Sequence, residues 1–138
     1  MNKEKASPMA QKIKTVLLVD DEEDILEMLS YNFRKSGFHV LLANNGQEGY
    51  RLAYNEIPDV IVTDLWMPEM DGILMCKLIR DQIQLDVSRI IVLSADSDDF
   101  KAISALRAGA DEYLSKPVSP SVIVHLAQKI ISLDRPEK

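Results

Sequence analysis

The chain has 138 residues, enough for one domain with a sizeable core and no room for a second of ordinary size. Apolar residues make up 46% and charged residues 28%, the balance of a globular protein, and 16 basic against 22 acidic side chains leave a net charge of −6. That acidity argues against sequence-independent binding to nucleic acid, which needs phosphate-neutralising side chains, and against an anionic membrane face.

No apolar run approaches the roughly 18 residues of a membrane-spanning helix. Met1 to Lys14 carries lysines with no apolar stretch behind them, unlike a secretory leader. Cys76 is the single cysteine and has no partner for an internal disulfide. It lies in Ile73-Leu74-Met75-Cys76-Lys77-Leu78-Ile79, which reads as a helix face, so a buried structural thiol is expected rather than a nucleophile. These features fit a cytoplasmic protein.

In chain order, a polar and flexible tail is expected over residues 1–13, the folded domain over 14–133, and a C-terminal tail or the start of a linker over 134–138. Short β-rich runs alternate with helical patterns. The runs are Thr15–Val19, His39–Ala43, Val60–Thr63, Arg89–Leu93 and Glu112–Leu114. The helical patterns are Glu22–Ser36, Gly46–Glu56, Gly72–Ile83, Asp98–Ala108 and Pro120–Leu133. The first, third and fourth runs are continuously apolar, as for strands covered on both faces. Strands alternating with helices imply an α/β fold of five βα units around a parallel sheet with right-handed crossovers.

The punctuation agrees. Ile25, Leu29 and Phe33 recur every four residues, and Gly37 then supplies a helix stop. Asn45 with Glu48 is close to a capping box. Gly109 ends the fourth helix, and Ser119-Pro120 is a helix start.

Open parallel sheets place ligands beyond the carboxyl ends of their strands. Asp20, Asp64, Ser94 and Lys116 each follow such a run, and Asp21 stands beside Asp20. If the first and third runs are neighbours, three carboxylates meet at one sheet edge, where like charges must protonate or share a cation. A few carboxylates with room for water suit Mg²⁺, which commonly bridges to phosphate. Taken alone, Asp20 and Asp21 also read as ordinary acids at a helix N-terminus. Asp64 can serve as a nucleophile forming an aspartyl phosphate. Mg²⁺, the Lys116 ammonium and the Ser94 hydroxyl would then take the three equatorial oxygens.

The motifs Val19-Asp20-Asp21-Glu22, Asp59 to Pro68, Met70-Asp71-Gly72, Leu93-Ser94-Ala95 and Ala108 to Pro117 occur in that order. The steps from Asp21 to Asp64, Ser94 and Lys116 are 43, 30 and 22 residues. In motifs and spacing the chain, from about Lys14 to Leu133, resembles the receiver domain of two-component response regulators, of the chemotaxis type. The resemblance implies a flavodoxin-like (βα)₅ sheet of order 2-1-3-4-5. It implies Asp64 as phosphoacceptor, Asp21 as a direct Mg²⁺ ligand, Asp20 acting mainly through water, and the main-chain carbonyl of Trp66 as a further ligand. It implies Lys116 as the phosphate-contacting lysine, with a cis bond to Pro117, and Ser94 with Tyr113 as the switch pair. Phosphorylation would draw the Ser94 hydroxyl toward the phosphoryl group and let Tyr113 turn inward, altering the face made by the fourth helix, fifth strand and fifth helix. The family tunes phosphoryl lifetime at the positions of Trp66 and Asp96; here Trp66 is expected to shield the phosphoryl group and Asp96 to orient water against it.

The implied partners are a sensor histidine kinase or histidine phosphotransferase and a downstream protein, with no direct nucleic-acid or membrane binding by this domain, as a monomer or a phosphorylation-dependent dimer. The domain would catalyse only its own phosphorylation and dephosphorylation. A phosphatase of the haloacid dehalogenase type needs a second aspartate where Trp66 stands, and indole cannot transfer the proton. A flavodoxin-like electron carrier needs a Gly/Ser/Thr-rich loop where Asp20 to Asp24 would repel phosphate. A degenerate receiver acting as an unphosphorylated binding module is the remaining alternative. The output is open: a stand-alone receiver, or one belonging to a longer protein.

Overall fold

The strands β1 (Thr15–Val19), β2 (His39–Ala43), β3 (Val60–Asp64), β4 (Arg89–Ser94) and β5 (Glu112–Ser115) pair in parallel, in the order β2-β1-β3-β4-β5. That is the expected doubly wound sheet. A computed structural model describes residues 12–67, 69–95 and 99–133. Asp96, Pro68 and the two expected tails, apart from Lys12 and Ile13, lie outside the described residues.

Five helices cover the sheet: α1 (Glu23–Lys35), α2 (Gly46–Glu56), α3 (Gly72–Arg80), α4 (Asp99–Arg107) and α5 (Pro120–Ile131). Side chains alternate along each strand, so the apolar runs feed two cores. Val16, Leu18, Val60, Val62, Ile91 and Leu93 pack with Leu29 and Phe33 of α1 and Ile123 and Ala127 of α5. Leu17, Val19, Ile61, Ile90 and Val92 pack with Ala53 of α2, Met75, Cys76 and Ile79 of α3 and Ala105 of α4. Fully burying one such aliphatic side chain stabilises by about 1.5–3 kcal/mol. Cys76 is buried, and burial pushes its thiol up to about 12, as expected of a structural cysteine. Among the described residues no helix is long and apolar enough to cross a membrane.

Several boundaries differ from the sequence reading. β3 and β4 each run one residue further, to Asp64 and Ser94, which pair with Leu93 and Ser115. The ladder is made by backbone groups, so a polar side chain at the strand end does not stop it. Helix α3 ends at Arg80, and a short 3-10 helix follows over Ile83–Val87. Ile83, whose spacing suggested a longer helix, is 83% exposed, and Leu85 takes the buried place. Arg80 fixes this turn by donating to the carbonyls of Gly109 and Leu85, both at 3.0 Å, and to Asp111 at 3.1 Å.

Capping follows the sequence in part. The Asn45 side chain accepts from the Glu48 amide at 2.8 Å, while the Glu48 carboxylate turns to Arg51 at 2.6 Å rather than back toward Asn45. Pro120 opens α5, but the Ser119 hydroxyl pairs with that of Ser121 and caps nothing. Gly37 and Gly109 take the left-handed φ values of 95° and 119° that helix stops use.

Candidate functional site

The sheet order makes β1 and β3 neighbours, and their carboxyl ends bring the acids together. Asp20 and Asp21 follow β1, and Asp64 is the last residue of β3. One carboxylate oxygen from each lies within 4.8 Å of the others. Asp20 is 2% and Asp64 9% exposed, whereas Asp21 faces solvent. Lys116 follows β5, two strands from β3, and its side chain crosses the end of β4. Its Nζ lies 3.2 Å from Asp64 Oδ1 and 3.4 Å from Asp20 Oδ2.

Backbone contacts hold these groups in place. The Asp20 amide donates to the Ala43 carbonyl at 3.1 Å and the Lys116 amide to the Ser94 carbonyl at 2.7 Å. Asp20 Oδ1 accepts from the Glu22 amide at 2.9 Å, so one oxygen serves the start of α1 while the other faces Lys116. Glu22 is itself the N-cap of α1, so Asp20 braces the entry to the helix without capping its first turn. Behind Asp64, the Gly72 amide donates to the Leu65 carbonyl at 2.9 Å. A Cβ on Gly72 would stand 2.7 Å from the Asp64 carbonyl oxygen, so only glycine lets α3 begin this close to the site. The Lys116–Pro117 bond is cis, as the resemblance implied.

Burial raises the pKa of Asp64; Lys116 opposes this and the charge of Asp20 adds to it. For Lys116, burial works against the ammonium, but Asp20 and Asp64 outweigh it and hold its pKa above the ordinary lysine value. Excess negative charge thus remains at a partly dry edge, and three carboxylate oxygens this close are a donor set that fits a hard cation such as Mg²⁺.

Ser94 is fully buried at the end of β4, and Tyr113 is half-buried on β5. The register sets Tyr113 opposite Val92 and Ser115 opposite Ser94. Ser94 and Tyr113 therefore share one sheet face, the one that α3 and α4 cover. Trp66 is half exposed just after β3, and the Lys101 ammonium, from the first turn of α4, sits 4.7 Å from the centre of its ring. Asp96 lies outside the described residues, so the water-orienting role expected of it has no geometry here.

The sequence reading missed Lys101, because nothing in spacing or pattern predicts which loop a first-turn lysine will meet. It also missed the Asp71 side chain, which caps α3 by accepting from the Leu74 amide at 2.9 Å. That signal was present in Asp71-Gly72 ahead of an apolar run.

A family model described as the response regulator receiver domain matches residues 16–128. The alkaline phosphatase synthesis transcriptional regulatory protein PhoP of Bacillus subtilis is 42% identical over 107 residues, which cover 78% of this chain and 44% of PhoP. The chain thus matches less than half the length of that relative. Among solved structures, the chemotaxis response regulator CheY4 of Vibrio cholerae superposes with a TM-score of 0.81 at 30% identity, covering 86% of this chain and 99% of that one. The receiver domain of a Francisella response regulator gives 0.80 at 31% identity, over 86% and 96%. The five-strand order, the carboxylate cluster beside a strand-end lysine and these matches agree: the chain belongs to the response regulator receiver domain family of two-component signalling.

Proposed function

We propose that this domain is a phosphorylation-activated switch in which Asp64 accepts a phosphoryl group from the phosphohistidine of a sensor histidine kinase or a histidine phosphotransferase. The observation that carries this is Lys116, whose ammonium lies between Asp64 Oδ1 and Asp20 Oδ2 at 3.2 and 3.4 Å, where it can take up charge that arrives on Asp64.

In the reaction an Asp64 carboxylate oxygen forms the bond to phosphorus while the phosphorus–nitrogen bond of the donor breaks and the electron pair leaves with the imidazole. Mg²⁺, held by Asp20, Asp21, Asp64 and the Trp66 carbonyl, would supply charge neutralisation that lets two anions meet. Lys116 shifts its hydrogen bonds from carboxylate to a phosphoryl oxygen. The Ser94 hydroxyl donates to another, and Tyr113, on the same sheet face, turns toward the space released. The domain processes no outside substrate beyond this self-directed phosphorylation and dephosphorylation.

The readout is the face built from α4, β5 and α5. Phe100, Ile103 and Leu106 already present exposed apolar surface along α4, the material a protein partner or output domain needs. Binding there is protein–protein, as a monomer or a phosphorylation-dependent dimer, in the cytoplasm, with no nucleic acid read by this domain itself.

Trp66 is the single tryptophan and borders the site, so its emission tests the reading. Mg²⁺ should change it saturably, beryllofluoride should change it further, and Asp64→Asn should abolish the second response. Emission insensitive to both would contradict the switch and favour an unphosphorylated binding module.

A further inference from the structure

Lys101 stands in the first turn of α4, a position where the positive end of the helix dipole disfavours a cation. Its ammonium lies 4.7 Å from the centre of the Trp66 ring. The negative face of an indole is the strongest aromatic partner for a cation, and it offsets the unfavourable dipole. Trp66 in turn follows the last residue of β3, Asp64, by two positions. The contact therefore joins the loop that follows the phosphoacceptor position to the helix that carries exposed Phe100, Ile103 and Leu106.

We propose that Lys101 is a positioning residue: its ammonium holds the Trp66 ring across the approach to Asp64, so that phosphoryl lifetime depends on where α4 sits. This inference rests on the phosphoacceptor reading of Asp64. Water must reach the phosphorus in line to hydrolyse the aspartyl phosphate, and a ring held over that path excludes it. Without the cation the ring, half exposed and at the surface, turns away more often. A partner that moves α4 through its apolar face breaks the same contact and shortens the phosphorylated state.

Lys101→Met keeps the aliphatic stem and removes the charge, and Lys101→Arg keeps a cation that stacks on the ring. Lys101 lies outside the buried face of α4, so neither variant threatens folding. Each protein is loaded with a small phosphodonor and Mg²⁺, loading is confirmed by intact mass, and the decay of the phosphorylated form is followed after the donor is removed. Lys101→Met should shorten the lifetime by about two- to fivefold, the range that loss of an exposed cation–π contact allows. Lys101→Arg should restore it, and Trp66 emission in the unmodified protein should shift in the Met variant and not in the Arg variant. In a Trp66→Ala background the Lys101→Met effect should vanish. Loading with equal lifetimes in all variants overturns the inference alone, as does a Lys101→Met effect that persists without Trp66. A wild-type protein that takes no phosphoryl group overturns the phosphoacceptor reading and this inference together.

Discussion

Lys116 Nζ lies 3.2 Å from Asp64 Oδ1, a contact that reaches past the end of β4 to join the last strand of the sheet to its third. The same ammonium is 3.4 Å from Asp20 Oδ2, so one lysine faces two buried carboxylates. Lys116→Met would leave both acids without this cation. Removing one partner from a largely buried pair leaves an uncompensated charge, and for a lysine still partly open to solvent the expected loss is about 1–3 kcal/mol. Urea denaturation of the metal-free protein checks this. Mg²⁺ should recover part of the loss, because it supplies positive charge to the same oxygens.

Asp64→Asn should act in the opposite direction. The folded-state pKa of Asp64 is raised above its ordinary value, first by burial. A raised pKa means that the folded state holds the proton more tightly than the unfolded chain. Its contribution is then present below the ordinary carboxylate pKa and is lost as pH rises through the folded value. At neutral pH the charge on Asp64 works against folding, and the neutral amide relieves that. The metal-free variant should unfold at a higher midpoint than the parent. The parent should gain stability from Mg²⁺, by about 2.7 kcal/mol at a hundredfold excess over Kd, and Asp64→Asn and Asp21→Asn should each gain less.

Gly72→Ala tests how closely α3 must approach the site. The added Cβ would lie 2.7 Å from the Asp64 carbonyl oxygen and 3.2 Å from Leu65 Cα, both backbone atoms that cannot swing aside. The expected cost is about 1–3 kcal/mol, typical of overpacking against a fixed neighbour. The same displacement moves Asp64, so Mg²⁺ affinity should fall along with the unfolding midpoint.

β1, β3 and β4 were legible because their runs are continuously apolar, and the site because four polar residues each follow a strand run. Asp64, Ser94 and Lys116 needed only the strand order to be brought to one edge; alternation of strands and helices implied a parallel sheet, and the resemblance implied its order. The turn after α3 was not legible. It depends on Arg80 meeting the carbonyls of Gly109 and Leu85 and the Asp111 carboxylate, partners up to 31 residues away. Asp111 in turn also accepts from the Ile90 amide at 2.8 Å and lies 3.7 Å from Arg89. Local periodicity carries no information on such a hub. The Lys101–Trp66 contact escaped for the same reason.

Cys76 offers a check on the packed core that is independent of the site. Its thiol is raised from 9.0 to about 12, by burial first, with Asp111 and Asp71 adding and Arg80 opposing. The folded state keeps this proton where the unfolded chain releases it. Stability should therefore fall as pH rises from about 9 toward 12, and Cys76→Ala should show a shallower fall over that window. Near neutral pH a thiol reagent should leave Cys76 unmodified in the folded protein and label it on unfolding.

The central claim is that Asp64 carries the phosphoryl group. Intact mass after incubation with a small phosphodonor and Mg²⁺ tests it most directly, with peptide mapping to place the modification. The account predicts one added phosphoryl group, on Asp64, dependent on Mg²⁺ and absent from Asp64→Asn. A wild-type chain that stays unmodified, or an Asp64→Asn variant that still gains the full phosphoryl mass, would contradict it.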